Sequence, residues 1–465
     1  MTKKFENEMD LLKFATTAKN KTFSDIDLYN RLSNNKGSIG QVMEESFFGY
    51  EVNSRHEADF AELGVELKVT PFISTRKGYR AKERLVLGLI NYCRENWDDF
   101  YKSEFWAKNR NILMMFYEHK TDLPKELWSI FDVILYKFPE EDLLIIQRDW
   151  SVISNKVKYG LEHELSEGDN IYLVDCTKGI TAEKSMVKQP FSDILAKQRA
   201  YSFKNSYMSY VLNNYVFGSQ PTEKVIKDIT VLQTQSFEDY IKNLFLPYIG
   251  KSQKDLITLL NIKPSKATNY SIITSILKVN GNLEKTEEFQ KGNIIPKTIR
   301  IETNGTIKES MSFPAFNFSD FDDLTWEESE FYDVLTESRF MFIIFSKIDN
   351  TDQTSIFKGV YFWSMPSEDI KEASLCWIRT KNIIKEGVKL IATPSGVINN
   401  LPKATENRVA HVRPHASKSA YRFDNISIGD LKDAYQLPDG RWMTKQCFWL
   451  NSSYVKSIFE VLKLL

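Results

Sequence analysis

Cysteine and histidine are scarce in this chain: Cys93, Cys176, Cys376 and Cys447 are the only thiols among 465 residues, and there are only five histidines. The four cysteines form no C-x-x-C pair, which argues against structural zinc and a disulfide framework and suits a reducing cytoplasm. His411 and His415 stand four apart with Pro414 between them and no further ligand nearby, so they read as loop or phosphate-facing residues rather than a metal pair. No apolar run approaches the length of a membrane span, and MTKKFENEMDLLKF at the N-terminus has no signal-peptide core, so a cytoplasmic protein is expected. Low-complexity sequence is missing. So is net charge: 61 Lys and Arg against 62 Asp and Glu leave −1, which by itself does not announce a nucleic-acid binder.

What is present is the profile of a folded globular protein, 42% hydrophobic and 26% charged, long enough for two sizeable domains. The charge is unevenly spread. Lys178, Lys184, Lys188, Lys197, Arg199 and Lys204 face only Glu183 and Asp193 across one stretch. Lys403, Arg408, Arg413 and Lys418 face only Glu406 in another. Acidic excess lies at Asp320, Asp322, Asp323, Glu327, Glu328 and Glu330, and between Glu44 and Glu66. Basic loops of this kind neutralise phosphates, although a charge run is more often a solvated face.

The stretch from Glu44 to Lys68 carries the chemistry. Gly64-Val65-Glu66-Leu67-Lys68-Val69 alternates strictly, the period of a strand. Glu66 and Lys68 then share one face, while Val65, Leu67 and Val69 face a core. Asp59 stands a short hairpin away. Two carboxylates and an ammonium suit a hard divalent cation and a scissile phosphate, because Mg²⁺ takes oxygen ligands and a lysine can orient the attacking water. A D-x6-E-x-K pattern alone also fits a solvated strand with a surface ion pair. The density of carboxylates favours the metal reading, since like charges so close repel unless a cation separates them.

These residues resemble the MutH mismatch-repair nicking endonucleases and the related GATC-cutting type II restriction endonucleases. The helix signature reads Gly37-Ser38-Ile39-Gly40-Gln41-Val42-Met43-Glu44, and the core reads Asp59-Phe60-Ala61-Glu62-Leu63-Gly64-Val65-Glu66-Leu67-Lys68-Val69-Thr70-Pro71. The resemblance implies a catalytic set of Glu44, Asp59, Glu66 and Lys68, joined by Lys108 ahead of an apolar strand, with Asp59, Glu66 and Glu44 holding Mg²⁺. Glu45 rivals Glu44, because one extra residue stands between helix and hairpin. It further implies DNA contacts at Lys178, Lys197, Arg199 and Lys204. Ser202 occupies the place of a family tyrosine, with Tyr201 one position earlier, so the preference for methylated DNA stays open.

Past residue 220 the order of segments repeats. Phe237–Leu260 corresponds to the first helical region, Glu288 through Arg300 to Asp59 through Lys68 and beyond, and Arg339–Phe345 to Arg110–Phe116. Aligning Lys297 with Lys68 puts Ile295 where Glu66 stands, and an isoleucine cannot ligate a cation. The later basic segments keep Arg413 and Lys445. The expectation is therefore an α/β protein of two tandem MutH-like folds, each a mixed sheet flanked by helices: a catalytic domain 1–215, a linker 216–232 and a catalytically degenerate domain 233–465 that binds a second copy of the site. Strands are expected near 64–70, 83–91, 111–117 and 130–137, and helices near 6–17, 24–33 and 38–48. The partners expected are GATC-containing double-stranded DNA and a second copy of the chain on that DNA, with no membrane and no nucleotide cofactor. A repair nickase and a non-catalytic DNA-binding regulator are the alternatives.

Overall fold

The computed structural model describes residues 3–33, 38–51, 57–75, 78–178, 185–220, 222–307, 310–321, 324–349 and 354–462. Gly37 of the helix signature, and Glu183, Lys184, Asp322 and Asp323 of the charge clusters, lie outside them. The chain is mixed α/β and forms two compact units, residues 1–241 with 278–294 and residues 242–277 with 295–465.

In the first unit the strands are β1 (Glu66–Thr75), β2 (Gly78–Ala81), β3 (Leu85–Leu89), β4 (Asn111–Glu118), β5 (Ile130–Lys137), β6 (Leu173–Thr177), β7 (Met186–Val187), β8 (Ala196–Lys197) and β9 (Arg199–Phe203). Of these, β1, β3, β4 and β5 follow the expected positions closely, because each is a short β-branched or aromatic run with its own periodicity. The main sheet has the order β2-β1-β4-β5; β1 runs parallel to β4 and the outer pairs are antiparallel. Val65, Leu67, Leu113 and Met115 face a core built with Val42, Met43, Phe47 and Phe48 of the N-terminal helices. A second, antiparallel sheet has the order β3-β9-β6.

Two helices differ from expectation. The expected helix at 24–33 is broken into Phe23–Ile26 and a short 3₁₀ turn Arg31–Ser33. The Asp27 carboxylate takes the N–H groups of Tyr29, Arg31 and Leu32, at 3.3, 3.0 and 2.9 Å, in competition with helical bonding. The helix at Ser38–Gln41 then widens into a π-helical segment, Val42–Phe48, ending on Gly49 at φ 76°. A π-turn accommodates an inserted residue without breaking the helix.

The division of the chain also differs. Residues 216–232 belong to the first unit, where Phe217 stacks on Tyr79 with centroids 3.9 Å apart and meets Phe72 and Phe131 edge-on or tilted. Residues 278–294 return to it. Their helix Glu287–Gly292 is buried, with Lys291 Nζ 2.6 Å from Asp142 Oδ1 and 2.7 Å from Glu287 Oε1. Glu288, expected as a counterpart of the Asp59 hairpin, instead accepts the N–H groups of Val225 and Ile226.

The second unit has its own core, in which Phe331 stacks on Phe448 at 4.3 Å. One of its sheets orders strands Ile294–Ile301, Arg339–Ser346 and Ile356–Trp363, the last pair antiparallel, in the sequence seen for β1-β4-β5. Ile295 packs against that core.

Candidate active site

Asp59 opens a tight loop closed by reciprocal bonds between Phe60 and Val65, the Phe60 N–H donating at 2.9 Å and the Val65 N–H at 3.3 Å. Gly64 permits this loop: its φ is 63°, where a side chain is strained, and the Arg110 guanidinium lies against its Cα. The loop is stapled to β1 by two bonds. Leu67 N–H donates to Asp59 Oδ2 at 2.9 Å, and Asp59 N–H approaches Glu66 Oε2 at 3.3 Å. The two carboxylates are thus fixed by the backbone of each other's segment.

Lys68 Nζ donates to Glu66 Oε1 at 2.7 Å. Lys108 Nζ lies 3.5 Å from the same oxygen. Sheet geometry explains the meeting. Parallel strands start at the same edge, Glu66 pairs with Ile112, and the helix Glu104–Asn109 ends just before β4. Lys108 in its last turn therefore arrives beside the first residues of β1.

Glu44, not its neighbour, faces this group. Burial, followed by the charge of Asp59, pushes the Glu44 carboxyl up to about 7. Burial and the charge of Glu66 push Asp59 up to about 6, against the pull of the Leu67 N–H and the two lysines. Glu45 turns away into a two-pronged pair with Arg31, whose Nε and Nη2 donate at 2.7 and 2.8 Å. The π-helical turn rotates the register so that one glutamate reaches the site and the other the surface arginine.

All the oxygens here are hard donors, and no thiol or imidazole takes part. Among the described residues no three acidic, His or Cys side chains converge closely enough to form a ready-made metal cage. A cation here would take one or two carboxylates and complete its shell with water, which hard divalent ions such as Mg²⁺ allow. Two raised carboxyls pressed together are what a cation would relieve. The residues fit a hard divalent ion.

The family described as DNA mismatch repair enzyme MutH matches residues 48–149, which span Asp59, Glu66, Lys68 and Lys108. The type II restriction enzyme Sau3AI of Staphylococcus aureus is 37% identical over 478 residues, covering 96% of this chain and 97% of that protein. This chain belongs to the MutH-related type II restriction enzymes. DNA mismatch repair proteins MutH of Shewanella baltica and Shewanella oneidensis are 26% and 25% identical over 189 and 199 residues, 40% and 42% of this chain. As a member of the restriction-enzyme family the chain is a DNA nuclease, and its α/β fold includes a MutH-like nuclease domain. Among the described residues no helix is long and apolar enough to cross a membrane.

The expected DNA contacts of this restriction enzyme separate into two groups. Lys197 is exposed and Lys178 half-buried. Arg199 and Lys204 are buried, which corrects their reading as direct DNA contacts. Arg199 lies 3.2 Å from Asp175 Oδ2, but its N–H groups point at the main-chain carbonyls of Asp175 and Leu165. Lys204 Nζ reaches the Gly292 carbonyl at 3.3 Å, beneath the returning helix. Basic residues on a fully buried strand were indistinguishable in sequence from those on the flanking loop. In the second unit Arg413 is exposed and stacks over Trp449 at 4.9 Å, and Lys445 lies 4.8 Å above Tyr435. His411, expected in a loop, is buried in the strand Ala410–Pro414, its Nδ1 2.5 Å from Asn451 Oδ1. A side chain outside the motif, Tyr50, also reaches the acidic group. Its hydroxyl is held well above its ordinary range by burial and then by Asp59, Glu44 and Glu66.

Proposed function

We propose that this enzyme recognises GATC in double-stranded DNA and hydrolyses the phosphodiester 5′ of the G with Mg²⁺, and that its second unit binds another copy of the site as an allosteric effector. The observation that carries the chemistry is the convergence of Asp59, Glu66, Lys68 and Lys108 at the start of β1. Enzymes of this kind use a divalent metal ion. Asp59 and Glu66, supported by Glu44 and the Leu67 carbonyl, would hold it. When bound, Mg²⁺ supplies Lewis acidity that offsets charge on the leaving oxygen. Lys68, kept in place by Glu66, orients the attacking water, and its ammonium offsets phosphate charge. Lys108 adds a second positive charge on the same carboxylate.

The site and the cut position rest on the family resemblance. The effector reading is supported by Ile295, which packs in a core where a ligand carboxylate would be needed, and by Arg413 and Lys445 on the second unit. One complete set per chain implies two chains meeting on a two-fold symmetric target, or two successive nicks. The relationship to Sau3AI spans both units, whereas that to the MutH proteins covers less than half of the chain, which favours double-strand cleavage over a repair nickase. The test is purified protein with unmodified GATC plasmid and Mg²⁺. Linear product and GATC-spaced fragments are expected. Nicked circles alone would point to the nickase, and intact DNA bound specifically would point to a regulator.

A further inference from the structure

Tyr50 stands directly after Gly49, the left-handed residue that closes the π-helical segment. Its N–H donates to the Glu44 carbonyl at 3.1 Å, so the turn that aims Glu44 at the site also sets Tyr50. The ring is held by two members of one aromatic cluster, 5.6 Å and near-perpendicular to Phe60 and 6.4 Å from Phe48. The hydroxyl is buried yet has no hydrogen-bond partner among the described residues. The charges of Asp59, Glu44 and Glu66 act on it. Tyr50 and Asp59 also line a common groove with Lys3, Lys4 and Glu62.

Leaving a buried hydroxyl unsatisfied costs about 1–3 kcal/mol, and an ordered water or ion is one of the partners such groups take. Here the partner would sit beside Asp59, which lines the same groove as Tyr50. A hydrated cation fits, because its bound waters are strong donors and Mg²⁺ gives them up reluctantly. We propose that Tyr50 is a positioning residue of the cleavage site, its hydroxyl oxygen accepting a hydrogen bond from a water in the hydration shell of the cation held by Asp59 and Glu66. This rests on the metal reading above. It adds an outer contact that no motif residue supplies.

The test is Tyr50→Phe on the full chain without DNA, with Mn²⁺ binding followed by the loss of its free paramagnetic resonance signal and Mg²⁺ as competitor. Outer-shell partners typically change metal affinity by about 10–100-fold, so a fall of about tenfold is expected. The metal-free melting temperature should stay level or rise, since no bond within the protein is lost. Equal Mn²⁺ affinity in variant and wild type would overturn the proposal while leaving the metal site standing. Wild-type protein that binds no Mn²⁺ would instead remove the metal reading itself. A metal-free variant that melts clearly lower, or does not fold, also overturns it, because the hydroxyl would then serve the protein's own packing.

Discussion

β1 and the strand Ile294–Ile301 hold the same place in sheets of the same strand order, yet only β1 carries a carboxylate and a lysine side by side as Glu66 and Lys68. In β1, Glu66 is held between Lys68, Lys108 and the Asp59 loop, on the sheet face opposite the hydrophobic core. In the other strand Ile295 stands at the aligned position and packs against a core. The helix preceding it, with Glu288, is spent in the first unit. The comparison teaches that a sheet supplies only the stage. The proposed site joins a carboxylate on the strand, a second one on a loop stapled to it, and a lysine from the helix that leads into the neighbouring parallel strand.

The largest expected effect tests that set directly. Glu66→Ala or Lys68→Ala should lower cleavage by on the order of 10³-fold, with DNA binding retained in a shift assay without metal. Near wild-type cutting by both would sink the site assignment. In the Lys68→Ala background, Ile295→Glu should restore no cleavage, since the second strand lacks the stapled partner. Any recovered cutting would break the comparison.

Next come the two basic residues that flank one another on and beside β9. Arg199→Ala removes the counter-charge of a buried carboxylate and should cost the first unit about 3 kcal/mol in denaturant unfolding. Lys197→Ala, on the exposed neighbour, should stay within about 0.5 kcal/mol. Equal effects would mean that Arg199 is not sealed in.

The units should also differ in their response to pH without metal. Burial raises Asp175 to about 7 and Asp149 to about 6, like Glu44 and Asp59, so the folded first unit takes up protons before the unfolded chain does. These four groups favour the fold fully below about pH 4, and that advantage is lost as pH rises through 6 and 7. His411 in the second unit is lowered, mainly by burial, so its contribution is present above its unfolded value of 6.5 and lost as pH falls. Melting in chelator from pH 8 to pH 5 should therefore shift the two units' transitions in opposite directions from these groups. The smallest effect expected is from Arg413→Ala or Lys445→Ala, a few-fold loss in DNA affinity with a salt slope shallower by about 1. An unchanged slope would remove them from the DNA surface.

Much of the first unit was legible because its signals are local. The alternation around Glu66 set one face against the other, and the burial of Val65 and Leu67 with Lys68 on the far side follows it. The break at Asp27 was not legible, since it depends on a carboxylate choosing three nearby N–H groups over the helix. Nor was the linker, because Gly and Ser near 218 mark a turn whether or not Phe217 docks beside it.

The amino-acid order by itself determined the strand, the hairpin carboxylate and the lysine on a shared face, because a period of two residues and a short loop leave little freedom. Only the folded chain decided that Glu44 rather than Glu45 meets them, that Lys108 joins from the helix ahead of the next strand, and that Arg199 and Lys204 are sealed inside. Those outcomes hang on a helical register changed by a single π-turn and on contacts between segments far apart in sequence, where burial outweighs local pattern.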